Sequence, residues 1–291
     1  MPQYADTYFT STDGLRLFAR DYPGPDSHAA TLVCLPGLTR NSKDFADLAA
    51  HLAQRYRVLC PDMRGRGRSA RDPKPENYRP DIYVGDVWRL LDGLGVDKVG
   101  IIGTSLGALM AMVMNAVAPA RVTRTVLNDA GPELDARGLA RIASYTGKPS
   151  PPMTTWAEAA RRIAENYGVC YPDFTPADWA DYARASCIRD VDGAIRFDYD
   201  ADIAIGLKTG SATPDLWPLF DSLGTKPSLV LRGERSDLLS EAIVAKMCAR
   251  LPTLRAVTVP GHGHAPTLNE PAARAAIDAF LIDASLAHAD V

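Results

Sequence analysis

Short runs of apolar and β-branched residues alternate with stretches of helical periodicity along the first half of the chain. The apolar runs predict buried strands at residues 31–35, 56–60, 99–102 and 122–127. Apolar residues at helical spacing predict helices at 45–52, 82–94 and 106–117. Before them, residues 8–10 and 15–20 flank Asp13-Gly14 and predict an antiparallel hairpin at a sheet edge. Because strand and helix alternate, we predict a mostly parallel central sheet with helices on both faces.

This alternation stops after the fourth strand and returns near residue 224. The intervening residues 133–223 contain no clear strand pattern, but they do contain helical stretches at 156–167 and 176–185. The alternation then resumes with strands at 228–231 and 254–259 and helices at 240–249 and 270–281. We therefore predict a core formed by residues 1–132 and 224–291, and a helical lid formed by 133–223. A lid over the carboxyl edge of the sheet would cover the place where ligands bind in such sheets.

Composition and charge narrow the classes of function. The 291 residues are 46% hydrophobic and carry a formal net charge of −3, which argues against a nucleic-acid partner. The uncharged segment 99–120 approaches the length of a membrane span, but its three glycines favour a strand, a turn and a helix. Five scattered cysteines without CxxC spacing indicate reduced thiols and no zinc site. The N-terminus lacks a signal-peptide pattern, so we expect a cytoplasmic protein with no membrane partner. The sequence does not define the oligomeric state.

The strongest chemical signal is the pentapeptide Gly103-Thr-Ser105-Leu-Gly107. A predicted strand precedes it and an apolar helix follows, as a nucleophile elbow requires. The serine hydroxyl then stands above the sheet, and the two glycines let strand and helix pass closely. We predict that Ser105 is a nucleophile; a Gly-rich turn with a buried serine is the alternative.

A serine nucleophile needs a base, and the base needs an acid that orients it. His262 and His264 both follow the last predicted strand. We choose His264, because its flanking glycine and Ala-Pro would turn the loop inwards, whereas His262 fits an exposed turn. The first choice for the acid is Asp237, after the strand at 228–231, and Glu234 is the second. Asp129 is the third, although a carboxylate that caps a loop explains it more simply.

Acyl transfer also needs hydrogen-bond donors for the developing oxyanion. The backbone amide of Leu106 follows the serine and opens a helix, so it is well placed. The second donor should come from the loop after the strand at 31–35. The amide of Leu38, in Pro36-Gly37-Leu38, is our choice.

The loop Asp62-Met-Arg-Gly-Arg-Gly-Arg-Ser69 fits the pattern DxRGxGxS. Together with the PG loop, GTSLG, RGERSD and GHGHAPTLNEP, it resembles the α/β-hydrolase superfamily over nearly the whole chain except the lid. The resemblance is greatest to serine esterases with a helical lid, and it implies an α/β-hydrolase fold. The order Ser105, Asp237, His264 is the order of that fold's catalytic triad. Dehalogenases and epoxide hydrolases of the superfamily have Asp at the serine position, so those activities are not expected.

These signals predict hydrolysis of a carboxylic ester or lactone of a small, apolar substrate through an acyl-enzyme, without a metal or organic cofactor. The alternatives are a C–C bond hydrolase with the same triad and a ligand-binding member of the fold without activity. The aromatic lid residues either line the substrate pocket or form the lid's own small core, which is the simpler expectation for most of them. These residues are Tyr145, Trp156, Trp179, Tyr182 and Trp217.

Overall fold

A computed structural model describes residues 4–208, 215–224 and 226–283 of the chain. The strands of the main sheet are β1 (Ala5–Thr10), β2 (Arg16–Tyr22), β3 (Thr31–Leu35), β4 (Arg57–Asp62), β5 (Val99–Thr104), β6 (Val122–Asn128), β9 (Ser228–Gly233) and β10 (Leu254–Val259); a separate hairpin contains β7 (Cys187–Arg189) and β8 (Ile195–Phe197). The helices are α1 (Ala46–Leu52), α2 (Pro80–Gly93), α3 (Leu106–Val117), α4 (Ala136–Tyr145), α5 (Trp156–Tyr167), α6 (Pro176–Ser186), α7 (Ile203–Lys208), α8 (Trp217–Asp221), α9 (Glu241–Arg250) and α10 (Pro271–Ile282).

The main sheet has eight strands in the order β1-β2-β4-β3-β5-β6-β9-β10. Every pair of neighbours from β4 to β10 is parallel, whereas β2 is antiparallel to both β1 and β4. The predicted mostly parallel sheet and its antiparallel edge hairpin are therefore confirmed. The order places β5, which leads to Ser105, between β3 and β6, and β9 and β10 lie on the far side of β6.

Helices cover both faces of this sheet, as the alternating pattern predicts. On one face, α2, α3 and α9 bury Val87, Met110 and Met247 against the strands. On the other face, α1 and α10 bury Leu48 and Phe280. Full burial of each such side chain stabilises the fold by about 1.5–3 kcal/mol. The two helical layers therefore hold the strand ends in fixed positions.

The segment between β6 and β9 contains more than helices. The sequence of residues 133–223 shows no clear strand pattern, but β7 and β8 form an antiparallel hairpin there. Each strand is only three residues long, too short to show an alternating pattern in the sequence. The segment has its own apolar cluster, which includes Met153 and Ile163. Its boundaries as a lid domain stay a prediction, and residues 209–214 within it lie outside the described residues.

The uncharged segment at 99–120 is divided as the glycines indicate. It forms β5, a sharp turn at Ser105 and the twelve-residue helix α3. Over the ranges that the structure describes, no helix has both the length and the apolar character needed to cross a bilayer.

Candidate active site

Ser105 lies in the sharp turn between β5 and α3. Its backbone φ is +54°, in the region that residues other than glycine rarely adopt. A Cβ atom added at Gly103 would overlap the carbonyl oxygen of Gly107, and one added at Gly107 would overlap that of Leu35. The two glycines are thus required because strand and helix cross without room for side chains, as the nucleophile-elbow pattern predicts.

His264 lies on the loop after β10, directly beside Ser105. The Ser105 Oγ and the His264 Nε2 are 2.8 Å apart, within hydrogen-bond distance. The His264 side chain is buried, with 7% of its surface exposed. By contrast, the Nδ1 of His262 lies 2.9 Å from the carbonyl oxygen of Pro260, and its Nε2 lies 3.4 Å from Glu270. The structure therefore brings His264, and not His262, to the serine.

Asp129 holds the other side of the imidazole. Its Oδ2 lies 2.8 Å from the Nδ1 of His264, and its side chain has no exposed surface. The residue follows β6 with a φ of +56°, so the chain turns sharply at the point where the carboxylate is presented. The Oδ1 accepts a hydrogen bond from the backbone N–H of Gly233, and the Oδ2 accepts another from the hydroxyl of Ser236. All three donors therefore fix the orientation of a buried carboxylate.

The predicted acid, Asp237, lies near the histidine loop but forms no hydrogen bond with His264, so the prediction that it orients the imidazole is wrong. Both carboxylate oxygens of Asp237 accept hydrogen bonds from Arg141 on α4, at 2.7 and 2.9 Å. Burial opposes ionisation of Asp237, but the favourable interactions of the carboxylate, of which the hydrogen bonds and charge of Arg141 are the largest, lower its pKa. The second choice, Glu234, is exposed and accepts the backbone N–H of Gly261.

The path of the loop after β9 explains why Asp237 does not bind His264. Ser236 faces the end of β6, where its hydroxyl also accepts the backbone amides of Leu238 and Leu239. Asp237 follows it and packs on the start of α4, where its carbonyl oxygen accepts the N–H of Gly138. The segment RGERSD does reach the predicted edge of the sheet, but it contributes a serine hydroxyl and the Gly233 amide to the acid.

The two predicted oxyanion donors flank the serine. A Cβ added at Gly37 would lie 3.7 Å from the Cβ of Ser105, so the loop that contains Leu38 runs beside the nucleophile. Leu106 is the first residue of α3, where backbone N–H groups have no partner within the helix. Neither the Leu38 amide nor the Leu106 amide has an acceptor in the described part of the chain.

Arg66 supports the Leu38 loop, a function that sequence reasoning missed. Its Nε donates to the carbonyl oxygen of Leu38 at 2.8 Å, and its Nη1 donates to the hydroxyl of Tyr83 at 2.9 Å. Arg66 is 1% exposed, so it reaches the loop from inside the protein. It belongs to the DxRGxGxS segment, whose Asp62 also accepts the amides of Ser42 and Arg68. That segment therefore braces the loop from behind.

Two hydrogen bonds tie the segment after α5 to the loop of His264. The Tyr171 hydroxyl donates to the carbonyl oxygen of Ala265, and the N–H of Gly263 donates to the carbonyl oxygen of Cys170, each at 2.7 Å. Burial raises the pKa of Tyr171 well above its usual value, so the phenol keeps the proton that it donates. The position of the histidine loop thus depends on the segment that covers it.

A cavity of about 610 Å³ opens over Ser105 and His264. It is called the larger cavity below, because a second cavity of about 310 Å³ adjoins it. Its walls include Leu38, Ile142 and Tyr171. Of the five aromatic lid residues considered above, Tyr145 and Tyr182 also line this cavity. Trp156 and Trp179 pack on the small apolar cluster of the insertion, and Trp217 packs on the main core.

The arrangement places an alcohol nucleophile, a base and a buried carboxylate in a continuous hydrogen-bonded row. The serine Oγ can transfer its proton to the imidazole without any rearrangement, because the two groups already lie within hydrogen-bond distance. The loop that contains Leu38 and the first turn of α3 both lie beside the nucleophile. Within the ranges 4–208, 215–224 and 226–283, no group of three or more His, Cys, Asp or Glu side chains is arranged to hold a metal ion.

Comparison with known proteins agrees with this architecture. Residues 30–168 match the family model for the alpha/beta hydrolase fold. A 3-hydroxybutyrate-oligomer hydrolase of Cupriavidus necator is 34% identical over 274 residues, which cover 90% of this chain and 92% of that protein. A 2-(acetamidomethylene)succinate hydrolase of Mesorhizobium japonicum is 30% identical, over 78% of this chain and 79% of that protein.

The solved structure of an alpha/beta hydrolase from Novosphingobium aromaticivorans is 48% identical and superposes with a TM-score of 0.91. The match covers 97% of this chain and 99% of that chain. The protein belongs to the α/β-hydrolase superfamily. The relatives from Cupriavidus necator and Mesorhizobium japonicum are both named as hydrolases.

Proposed function

We propose that the protein is a serine hydrolase that cleaves carboxylic esters through an acyl-enzyme, with Ser105, His264 and Asp129 as its triad. The observation that carries the proposal is the row of two 2.8 Å hydrogen bonds from Ser105 through His264 to Asp129. A serine hydroxyl is a poor nucleophile without such a base. The buried carboxylate holds the imidazole in the tautomer that accepts the serine proton.

The reaction proceeds in two halves at this site. Ser105 attacks the ester carbonyl while His264 takes its proton, and the amides of Leu38 and Leu106 stabilise the oxyanion. His264 then protonates the leaving alcohol, which departs and leaves the acyl group on Ser105. Water then attacks the acyl carbonyl while His264 takes its proton. His264 returns that proton to the Ser105 Oγ as the acyl bond breaks, which releases the acid and restores the serine. Asp129 stabilises the imidazolium formed in each half.

The substrate class that we propose is a short ester of a hydroxy acid. The relative from Cupriavidus necator is named for the hydrolysis of 3-hydroxybutyrate oligomers, in which ester bonds join the units. The larger cavity, at about 610 Å³, falls within the range of small-molecule sites. A lactone or a C–C bond next to a ketone would use the same three side chains, and a panel of these substrates separates the three activities. The cytoplasmic location and the absence of nucleic-acid partners and cofactors stay predictions.

The proposal predicts that Ser105→Ala abolishes ester hydrolysis. We expect turnover of p-nitrophenyl butyrate to fall by at least about 10³-fold, because loss of the nucleophile leaves only binding and oxyanion stabilisation. His262→Gln is the matched control, since that imidazole does not contact Ser105, and it should keep most activity. Unchanged circular dichroism would show that both variants fold. Hydrolysis by Ser105→Ala at the wild-type rate would refute the mechanism.

A further inference from the structure

A second cavity of about 310 Å³ adjoins the larger cavity. Four residues line both cavities: Thr39, Arg40, Tyr145 and Tyr167. The partition consists of side chains, since the rings of Tyr145 and Tyr167 are 5.1 Å apart and the Thr39 hydroxyl lies 3.3 Å from that of Tyr167. A ligand that passes these side chains would occupy both spaces.

The second cavity begins close to the nucleophile. A Cβ at Gly37 would lie 3.7 Å from that of Ser105, and Thr39 is only two residues further along the same loop. Two residues span at most about 7 Å, so a substrate with its ester at Ser105 reaches Thr39 within a few bonds. The second cavity therefore lies within the length of a short linear ester.

One cation of the second cavity has no counter-charge among the residues that the structure describes. Arg40 is paired with Asp44 through two hydrogen bonds of 2.7 and 2.5 Å. In the same way, Arg162 is paired with Glu158 at 2.9 Å. Lys148 is exposed and lines the cavity, and within the described residues it forms no ion pair or hydrogen bond.

The remaining carboxylate of the second cavity does not balance this charge. Glu165 is held by Arg161, which lies outside the cavity lining, at 2.6 Å. The other polar groups of the lining are neutral and include Ser144, Ser150 and Asn166. An anion in the second cavity would thus meet a free ammonium group and hydrogen-bond donors.

The rim of the larger cavity has the opposite charge. Asp178 and Asp181 on α6 and Asp47 on α1 line it and are exposed. The lysine and arginine of the same lining, Lys43 and Arg40, are paired with Asp198 and Asp44. A carboxylate on the substrate would be repelled from this rim and attracted to Lys148. The difference between the two cavities would orient a linear substrate that has one charged end.

We infer that the second cavity is a subsite for the free carboxylate of a short hydroxy-acid oligoester, with Lys148 as the recognising charge. The inference rests on the proposed ester hydrolysis and adds a direction to it: the carboxylate end lies against Lys148, and the ester next to that end lies at Ser105. Cleavage there releases the carboxylate-terminal unit with its hydroxyl as the leaving alcohol. The protein then acts preferentially on chains that end in a free acid.

The test compares a substrate that has a free carboxylate with the same substrate in which a methyl ester removes that charge. The substrates are the linear dimer of 3-hydroxybutyrate and its methyl ester, with Lys148→Met, Lys148→Glu and the control Lys98→Glu. Lys98 is exposed and precedes β5, at the opposite edge of the sheet from Ser105. For an exposed ion pair we expect Lys148→Met to raise the KM of the free acid about two- to five-fold, and Lys148→Glu to raise it further. The KM of the methyl ester should change little in the Lys148 variants, and the KM of the free acid should change little in the Lys98→Glu control.

A KM that changes equally for both substrates, or equally in Lys148→Glu and Lys98→Glu, would overturn the subsite. If the wild-type protein hydrolyses no ester at all, the proposed function fails and binding decides the subsite alone. Calorimetry with Ser105→Ala should then show tighter binding of the free acid than of its methyl ester. The additional change Lys148→Glu should remove that difference. Equal binding of the two ligands would refute the carboxylate site independently of catalysis.

Discussion

The ends of β6 and β9 each present an aspartate at the same edge of the sheet, but the two carboxylates have different environments. Asp129, directly after β6, is fully buried and accepts hydrogen bonds from a backbone amide, a hydroxyl and His264. Asp237, four residues after β9, is 12% exposed and binds the guanidinium of Arg141 with both oxygens. Both lie close to the histidine loop, and only one touches the imidazole.

The difference shows that an acid is defined by its partners more than by its place after a strand. Gly233 and Ser236 are neutral donors, so they orient Asp129 without cancelling the charge that stabilises an imidazolium. Arg141 cancels the charge of Asp237 and ties it to α4. One carboxylate is therefore free to support the base, while the other joins the loop after β9 to α4.

The largest expected effect separates the two aspartates by activity. Asp129→Asn should lower kcat for p-nitrophenyl butyrate about 10³- to 10⁴-fold, because the amide favours the wrong imidazole tautomer and removes the charge. KM should change little, since the carboxylate is buried behind the histidine. Steady-state kinetics at neutral pH measure both constants. A variant that retained a tenth of the wild-type kcat would remove Asp129 from the triad.

A smaller effect is expected when the support of Asp129 is weakened. Ser236→Ala removes one hydrogen bond to the carboxylate and leaves the Leu238 and Leu239 amides without their acceptor. Loss of a buried hydrogen-bond partner costs about 1–3 kcal/mol, which corresponds to roughly a five- to 150-fold reduction if it appears in kcat. Ser236→Thr keeps the hydroxyl and should restore most of the activity. Equal losses in the two variants would indicate a packing effect instead of positioning.

The smallest effect on kcat is expected at the second carboxylate. Asp237→Asn keeps the shape of the side chain and leaves the hydrogen bonds of His264 intact, so kcat should stay within about ten-fold of wild type. The variant should instead lower the melting temperature, because Arg141 would keep its charge without a counter-ion. A loss of kcat as large as that of Asp129→Asn would reverse the assignment of the acid.

The same pair predicts a dependence of stability on pH. The Asp237 pKa is lowered from its ordinary value of 3.8, so the folded state binds the proton less readily than the unfolded state. The stabilisation is fully present above that ordinary value and is lost as the pH falls through the lowered pKa. The gap in melting temperature between wild type and Asp237→Asn should therefore narrow in acid. A gap that widens below pH 4 would contradict the ion pair.

Local patterns in the sequence predicted the sheet, its helices and the nucleophile. The reason is that Gly103 and Gly107 are required by a crossing of consecutive elements, which the sequence records over five residues. His264 can be predicted from the sequence for a similar reason, because its loop directly follows a clear strand. These features depend on neighbours in the chain, and the structure places them as expected.

The acid could not be chosen in this way, because the choice depends on how the seven-residue loop between β9 and α9 turns. Asp129 was among the candidates, but nothing near it in the sequence shows that Ser236 lies against it, 107 positions further along. The partner of Asp237 is Arg141, separated by 96 positions. Arg66 and Leu38 are joined in the same way across 28 positions. Such pairs exist only after folding, and a single sequence contains no signal for them.

The most direct test of the account is covalent labelling of the nucleophile. Wild-type protein incubated with a fluorophosphonate should gain the mass of one adduct, and peptide mapping should locate it on Ser105. Labelling should be slowed strongly in Asp129→Asn, only slightly in Asp237→Asn, and be absent in Ser105→Ala. An adduct on another residue, or a labelling rate that falls with Asp237 and not with Asp129, would contradict the triad proposed for this protein.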